Sequence, residues 1–314
     1  MNMIEIVRYD GSYRDVWNGF VRTSKNGTFL FERDYMDYHA DRFADHSLLF
    51  YQDSRLIALL PANVSEGVFY SHQGLTYGGL VLGLRNTAAQ VLELVQALLR
   101  YLQQQGFVRL VYKCVPHIYH RYPAEEDLYA LWRSGAVLSR RSIATVVPGE
   151  QPLRFGETRR QQVQKALKQG YKIFPDNHFD AFWPVLEQNL QERYAARPVH
   201  RLDEIKRLHE RFPENIRLYR VCDAAGATVA GTVLYLTGRV VHSQYISSTA
   251  AGKQYGAVDY LYDYLLHEAY AGVAWFDLGT SVEQGGLVLN EGLIFHKERM
   301  GGRAVMYDTY EINW

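Results

Sequence analysis

Phe276-Asp277-Leu278-Gly279-Thr280-Ser281 is followed after a short gap by Asn290-Glu291-Gly292-Leu293-Ile294-Phe295-His296-Lys297-Glu298, and then by Met300-Gly301-Gly302-Arg303. The first run reads as a buried strand ending in Asp-x-Gly. The second reads as a short helix, and the Gly-Gly pair as its stop. Strand ends and helix starts are where α/β proteins place ligands. This order therefore sets an acid (Asp277), an amide (Asn290), a phenyl ring (Phe295) and a lysine (Lys297) around one crevice. Asn290 and Lys297 are seven apart and share a helix face. A fixed ammonium stabilises a developing oxyanion, and Lys297 has that chemistry. It equally has the chemistry of a solvated lysine favoured by the negative end of a helix dipole.

Working outward, the chain reads as an α/β protein in two parts. With 314 residues it is long for one core and sufficient for two. In the first part, strands are expected near 4–7, over 47–52 and over 56–62, with Asp53-Ser54 as a hairpin turn. A helix over 88–104 carries Val91, Val95, Leu98 and Leu102 at helical spacing and stops at Gly106, and a strand over 107–113 follows. Pro148-Gly149-Glu150-Gln151-Pro152 reads as a linker. Helices over 158–169, 179–193 and 202–211 come next. Strands over 216–222, 228–236 and 240–247, a helix over 257–270, a strand over 274–278 and a last strand over 304–312 complete the pattern. The expected division is a first domain over 1–147, a linker over 148–154 and a second domain over 155–314, each a mixed sheet flanked by helices.

Composition narrows the function classes. Lysine plus arginine equals aspartate plus glutamate, 34 each, so the chain lacks the basic excess expected of a DNA-coating protein. Two cysteines, Cys114 and Cys222, cannot build a disulfide framework. The first residues lack the basic-then-apolar order of a signal peptide. No apolar run approaches the ~20 residues that span a bilayer. The expectation is a soluble cytoplasmic protein. Cys114, His117 and His120 have zinc-like spacing but no evident fourth ligand, so no metal is expected.

Other residues carry candidate chemistry. Lys253, Gln254, Tyr255, Gly256 and Ala257 lie between a strand and a helix, where backbone N–H groups and the helix dipole favour an anion; a plain turn fits the same residues. A carboxylate or a histidine can take a proton from a nucleophile, and Asp277, Glu283, Glu291 and His200 are the candidate bases. Asp277 reads equally as a cap on its loop, and His200 as a loop histidine. His72-Gln73-Gly74-Leu75-Thr76-Tyr77-Gly78-Gly79 joins hydrogen-bonding side chains to glycines that let a ligand approach the backbone. His72, Gln73 and Tyr77 are assigned to substrate there, as are Gln244 and Tyr245 in the second half.

The stretch 276–303 resembles the end of the second domain in the FemAB-like branch of the GNAT acyltransferases, where a Phe-Lys pair precedes a Gly-rich turn at the acyl-transfer site. Here Phe295 and Lys297 are split by His296. The resemblance extends to Asn26-Gly27-Thr28-Phe29, Asp37-Tyr38-His39, Asp41-Arg42-Phe43, 56–63, 72–80, Pro198-Val199-His200 and 212–216. It implies two tandem GNAT-like domains, the first on the acceptor side and the second holding the donor and the transfer site, and direct transfer of an acyl group to an amine. It also implies acyl-CoA as donor, held near Lys253-x-x-Gly256 with Asn290 and Phe295 contributing. That loop matches the GNAT pattern Q/R-x-x-G-x-G/A in part, with Val258 in place of the last small residue. The implied acceptor is the amine of an amino-sugar or sugar nucleotide in surface-polysaccharide synthesis. Peptidoglycan-bridge members of the branch use aminoacyl-tRNA, which is the first alternative; a non-catalytic binding protein is the second.

Overall fold

The computed structural model describes residues 4–314, apart from the side chains of 193 and 194. The chain forms two compact units. One comprises residues up to Ser142 together with Gln284–Val288 and Met306–Trp314; the other comprises Ile143–Glu283 and Leu289–Val305. Both mix strands and helices, and the sheets are flanked by helices, as the sequence implied.

In the first unit, Glu5–Arg8, Leu48–Gln52, Arg55–Leu60 and Val81–Leu82 form an antiparallel sheet. Asp53 and Ser54 close its hairpin with φ of 51° and 61°, both left-handed as a two-residue turn requires. A second set of strands pairs Asn63–Ser65 with Val68–Tyr70, and Val68–Tyr70 in parallel with Arg109–Lys113. The helix Ala88–Gln104 starts at Thr87, whose side chain accepts the Gln90 N–H. Its predicted stripe of Val91, Val95, Leu98 and Leu102 is buried in the core with Leu48, Phe50, Leu60 and Leu110.

In the second unit the strand order is Lys172–Asp176, Ile216–Cys222, Thr228–Leu236, Val240–Ser248, Trp275–Thr280 and then residues 143–148 of the strand Val137–Pro148. The pairings described are antiparallel except that of Val240–Ser248 with Trp275–Thr280. Helices Glu157–Lys168 and Ala257–Tyr264 cover one face, where Ala166, Ala257 and Leu261 pack with Val221, Ala230, Leu234 and Phe276. The helix Phe179–Tyr194 covers the other: Phe182 lies so close to Gly231 that a Cβ there would stand 2.6 Å from its ring.

The unit boundaries differ from a single cut at 148–154. Residues 306–314 were expected in the second half, but Thr309–Asn313 pair with Lys113–Arg109, and Ile312 joins the first core. The expected linker is not loose. The Gly149 N–H bonds Ala274 O at 3.1 Å, and a Cβ at Gly149 would meet Val273 O at 1.7 Å.

Candidate active site

The parallel strands Val240–Ser248 and Trp275–Thr280 pair at only three positions: Val240 with Trp275, Val241 with Phe276 and His242 with Asp277. Beyond these, among the described residues, they part. A cleft of about 520 Å³ opens at the fork, lined by Ser243 and Ile246 of one strand, Leu278 of the other, and residues of five helices. Such a volume suits a small ligand.

Lys297, on the helix Glu291–Glu298, lines this cleft. Its ammonium donates to Gly279 O and Thr280 O, both at 2.9 Å. Burial pushes its pKa down to about 8, and the charge of Asp277 opposes that. Asn290 also lines the cleft: its Oδ1 accepts the Leu293 N–H at 2.9 Å, capping the helix, and its Nδ2 donates to Glu283 at 2.8 Å.

Successive helix residues are turned by about 100°, so only part of 295–297 faces the cleft. His296 and Lys297 do; Phe295 points out, 59% exposed, with the Arg299 guanidinium 5.1 Å from its ring centroid. The expected wall of the site is therefore not Phe295. The intervening His296 takes the place, its ring bonded at Nδ1 by Arg159 Nη1 at 3.0 Å. The same nitrogen of Arg159 donates to both oxygens of Asp259, at 2.9 and 3.1 Å. A guanidinium only donates, so His296 Nδ1 accepts and the proton of the neutral ring sits on Nε2. Burial, then the charges of Arg159 and Lys297, bring its pKa down to about 4. At neutral pH it is an uncharged donor beside Lys297.

The 251–257 segment is less open than expected. Ala250–Gln254 is a short helix capped by Thr249, and the N–H groups of Gly252, Lys253 and Tyr255 are already bonded to Thr249 Oγ1, Thr249 O and Ala251 O. Lys253 and Gly256 line the cleft, and the Lys253 ammonium donates to Asn189 at 2.9 Å. Gln254 and Tyr255 do not line it, and Ala257 is core. Gly256 has φ +73°, and a Cβ would meet Gln162 O at 2.5 Å. Glycine is therefore required there for backbone shape and helix packing, independently of any phosphate.

Asp277 is fully buried; its Oδ1 accepts the Gly279 N–H at 2.7 Å and its Oδ2 lies 2.8 Å from His242 Nδ1. The sequence offered Asp277 but not His242. Glu283 is exposed and lies outside the cleft lining. His200 is 3% exposed, with Nδ1 2.6 Å from Tyr245 Oη and Nε2 3.5 Å from Tyr235 Oη, which suits a structural histidine better than a base. Tyr245 packs on Trp183, and burial pushes its pKa up to about 12; neither it nor Gln244 lines the cleft.

In the first unit, Tyr77 is core rather than binding surface. It is 2% exposed, bonded to Thr28 and set against Phe31 and Tyr119. Gln73 is tied to Asn63 by two hydrogen bonds of 2.7 and 2.8 Å. His72 lines a cavity of about 320 Å³ with Tyr9, Phe43, Asp37 and Asp45; its φ is 77°, and burial lowers its pKa to about 3. Among the described residues no group of three or more His, Cys, Asp or Glu is placed to hold a metal, and no helix is long and apolar enough to cross a membrane.

Residues 157–284, which hold most of the cleft, match the family described as "Acetyltransferase (GNAT) domain". No curated protein matches the chain. Among solved structures, FemX superposes with a TM-score of 0.69 at 10% identity, covering 99% of this chain and 97% of that one. The chain thus shares its fold with FemX, and its second half carries the GNAT-domain match. Two further solved structures match nearly the whole chain. L-PGS from Bacillus licheniformis has a TM-score of 0.65 at 13% identity, covering 96% of this chain and 92% of that one. A tandem GNAT protein from the clavulanic acid biosynthesis pathway has a TM-score of 0.51 at 12% identity, covering 99% and 98%. The unit that carries the GNAT-domain match thus holds a cleft with an oriented lysine at its forked strands.

Proposed function

We propose that the protein transfers an acyl group from an activated carrier directly to an amine in the cleft of the second unit. The observation that carries this reading is Lys297: two backbone carbonyls fix its ammonium at the fork, leaving one N–H for a developing oxyanion. His296 Nε2–H supplies a second, neutral donor from the same helix. The donor assigned first is acyl-CoA, in keeping with the family description of residues 157–284, with Lys253 and the start of the helix Ala257–Tyr264 beside its phosphates. The acceptor class is an amino-sugar or sugar nucleotide, and the compartment the cytoplasm.

A second reading, an aminoacyl-tRNA donor, is favoured by a specific feature. The helix Ala250–Gln254 has already used amides that a diphosphate would need, and Asp259 sets a carboxylate in the first turn of the next helix. The likeness to FemX over nearly all of both chains points the same way. Mass spectrometry of a glucosamine acceptor incubated with acetyl-CoA, or with charged tRNA, separates the two. Acetyl-CoA at a hundred times its dissociation constant should also stabilise the fold by ~2.7 kcal/mol. No product and no stabilisation with acetyl-CoA, alongside product with charged tRNA, overturns the first donor. No product with either overturns acyl transfer.

A further inference from the structure

We propose that His242 is the base that takes the acceptor's proton, with Asp277 as its positioning residue. The assignment rests on the acyl-transfer reading above. His242 and Asp277 face each other at the last paired position before the strands part. A carboxylate can only accept, so the 2.8 Å contact from His242 Nδ1 puts a proton on Nδ1 and leaves the lone pair on Nε2. Asp277 is fully buried and pinned through its other oxygen by the Gly279 N–H at 2.7 Å, so the ring is held in one tautomer and one orientation. His242 keeps 12% of its side chain exposed, and among the described residues no protein group bonds its Nε2.

The next residue on each strand, Ser243 and Leu278, lines the cleft. Side chains alternate along a strand. Phe276 and Leu278 pack in the core under the helix Ala257–Tyr264, and Ser243 bonds Tyr262 of that helix. His242 and Asp277 therefore project from the opposite face at the same fork. An acyl carbon lying between the parted strands would have Lys297 and His296 on the cleft side and the His242 lone pair on the other. The titratable neighbours are few: Asp277 on the adjacent strand, Tyr235 directly across on Thr228–Leu236, and Lys297 through Gly279 O. His200 stands behind Tyr235.

The step balances as follows. An acceptor arriving as an ammonium gives one proton to His242 Nε2, which releases it to solvent. The freed nitrogen pair forms the C–N bond, and the carbonyl pair moves to the oxygen. When that pair returns, the bond from carbon to the carrier's sulfur or oxygen breaks, and the leaving atom takes the second proton of the nitrogen.

The test is His242→Gln in the full chain, assayed against glucosamine with acetyl-CoA and with charged tRNA. The expected result is a fall in kcat of ~10²–10⁴. Donor KM should be unchanged, the acidic limb of the kcat–pH profile should disappear, and added imidazole should restore part of the rate. Full activity, or a loss of rate that keeps the acidic limb and resists imidazole, overturns the assignment while acyl transfer stands. A wild type inactive with both donors overturns both. If the variant fails to fold, histidine ¹⁵N shifts of the wild type decide: the Nδ1–H tautomer at 242 sustains the assignment, and the Nε2–H tautomer overturns it.

Discussion

Lys113 in the first unit and Lys297 in the second are both largely buried ammoniums that hold the carbonyls of a glycine-containing loop, and burial brings both down to a pKa of about 8. They differ in what is left over. Lys113 donates to His72 O and Gln73 O at 3.1 Å and to Leu75 O at 2.7 Å, using all three of its hydrogens. Lys297 donates to two carbonyls and lines a cleft with the third. The depressed pKa therefore does not distinguish the two lysines. The number of hydrogens already used does. The comparison also explains why the 72–79 loop looked like a binding loop in sequence: its carbonyls are turned inward onto Lys113.

Removing each charge tests the contrast most directly. Lys297→Met should lower turnover by ~10²–10³, measured as kcat against the wild type, with only about 1 kcal/mol lost in urea unfolding. Full turnover in that variant would make the two lysines equivalent. Lys113→Met should do the reverse. It leaves three carbonyls without their donor and should cost about 2–4 kcal/mol of unfolding free energy, while the folded fraction keeps its kcat.

The pH dependence sharpens the same point. Both lysines have a folded pKa of about 8 against an ordinary 10.5. Between these values the folded chain has shed protons that the unfolded chain still binds, so their contribution to stability rises with pH across that window and is gone below about 8. Activity should move oppositely, falling above pH 8 as Lys297 loses its charge. Rate and melting temperature measured from pH 7 to 9.5 should diverge, and Lys113→Met should keep the basic limb of the rate. The smallest effect belongs to Phe295→Ala. Exposed beside the helix face that lines the cleft, it should shift stability by less than about 0.5 kcal/mol and leave kcat unchanged; a large loss of kcat would restore Phe295 to the site.

Much of the fold was legible because local pattern and final packing agree. The stripe at Val91, Val95, Leu98 and Leu102, the Asp53-Ser54 turn and the short helix at Lys297 all follow from spacing and turn chemistry. The 12-residue strand Val137–Pro148 was missed, since its first half is exposed and carries Arg140 and Arg141, so no alternation announces it. The site was legible in part. Lys297, Asn290, Lys253 and Gly256 line the cleft, but Arg159 meets Asp259 and His296 across 100 and 137 residues of chain. Contacts of that range leave no periodic trace. His242 left a faint one: the expected strands at 240 and 274 would set it level with Asp277, had their register been drawn.

The strand Arg303–Asn313 gives residues 306–313 to the first unit, after the chain has passed through nearly all of the second. During synthesis the edge of Arg109–Lys113 therefore waits for its partner until residues 143–305 have left the ribosome, a delay of roughly ten seconds or more at ~5–20 residues per second. Throughout that interval the nascent first unit carries an uncovered strand edge, the kind of surface that recruits chaperones or pairs with a neighbouring chain.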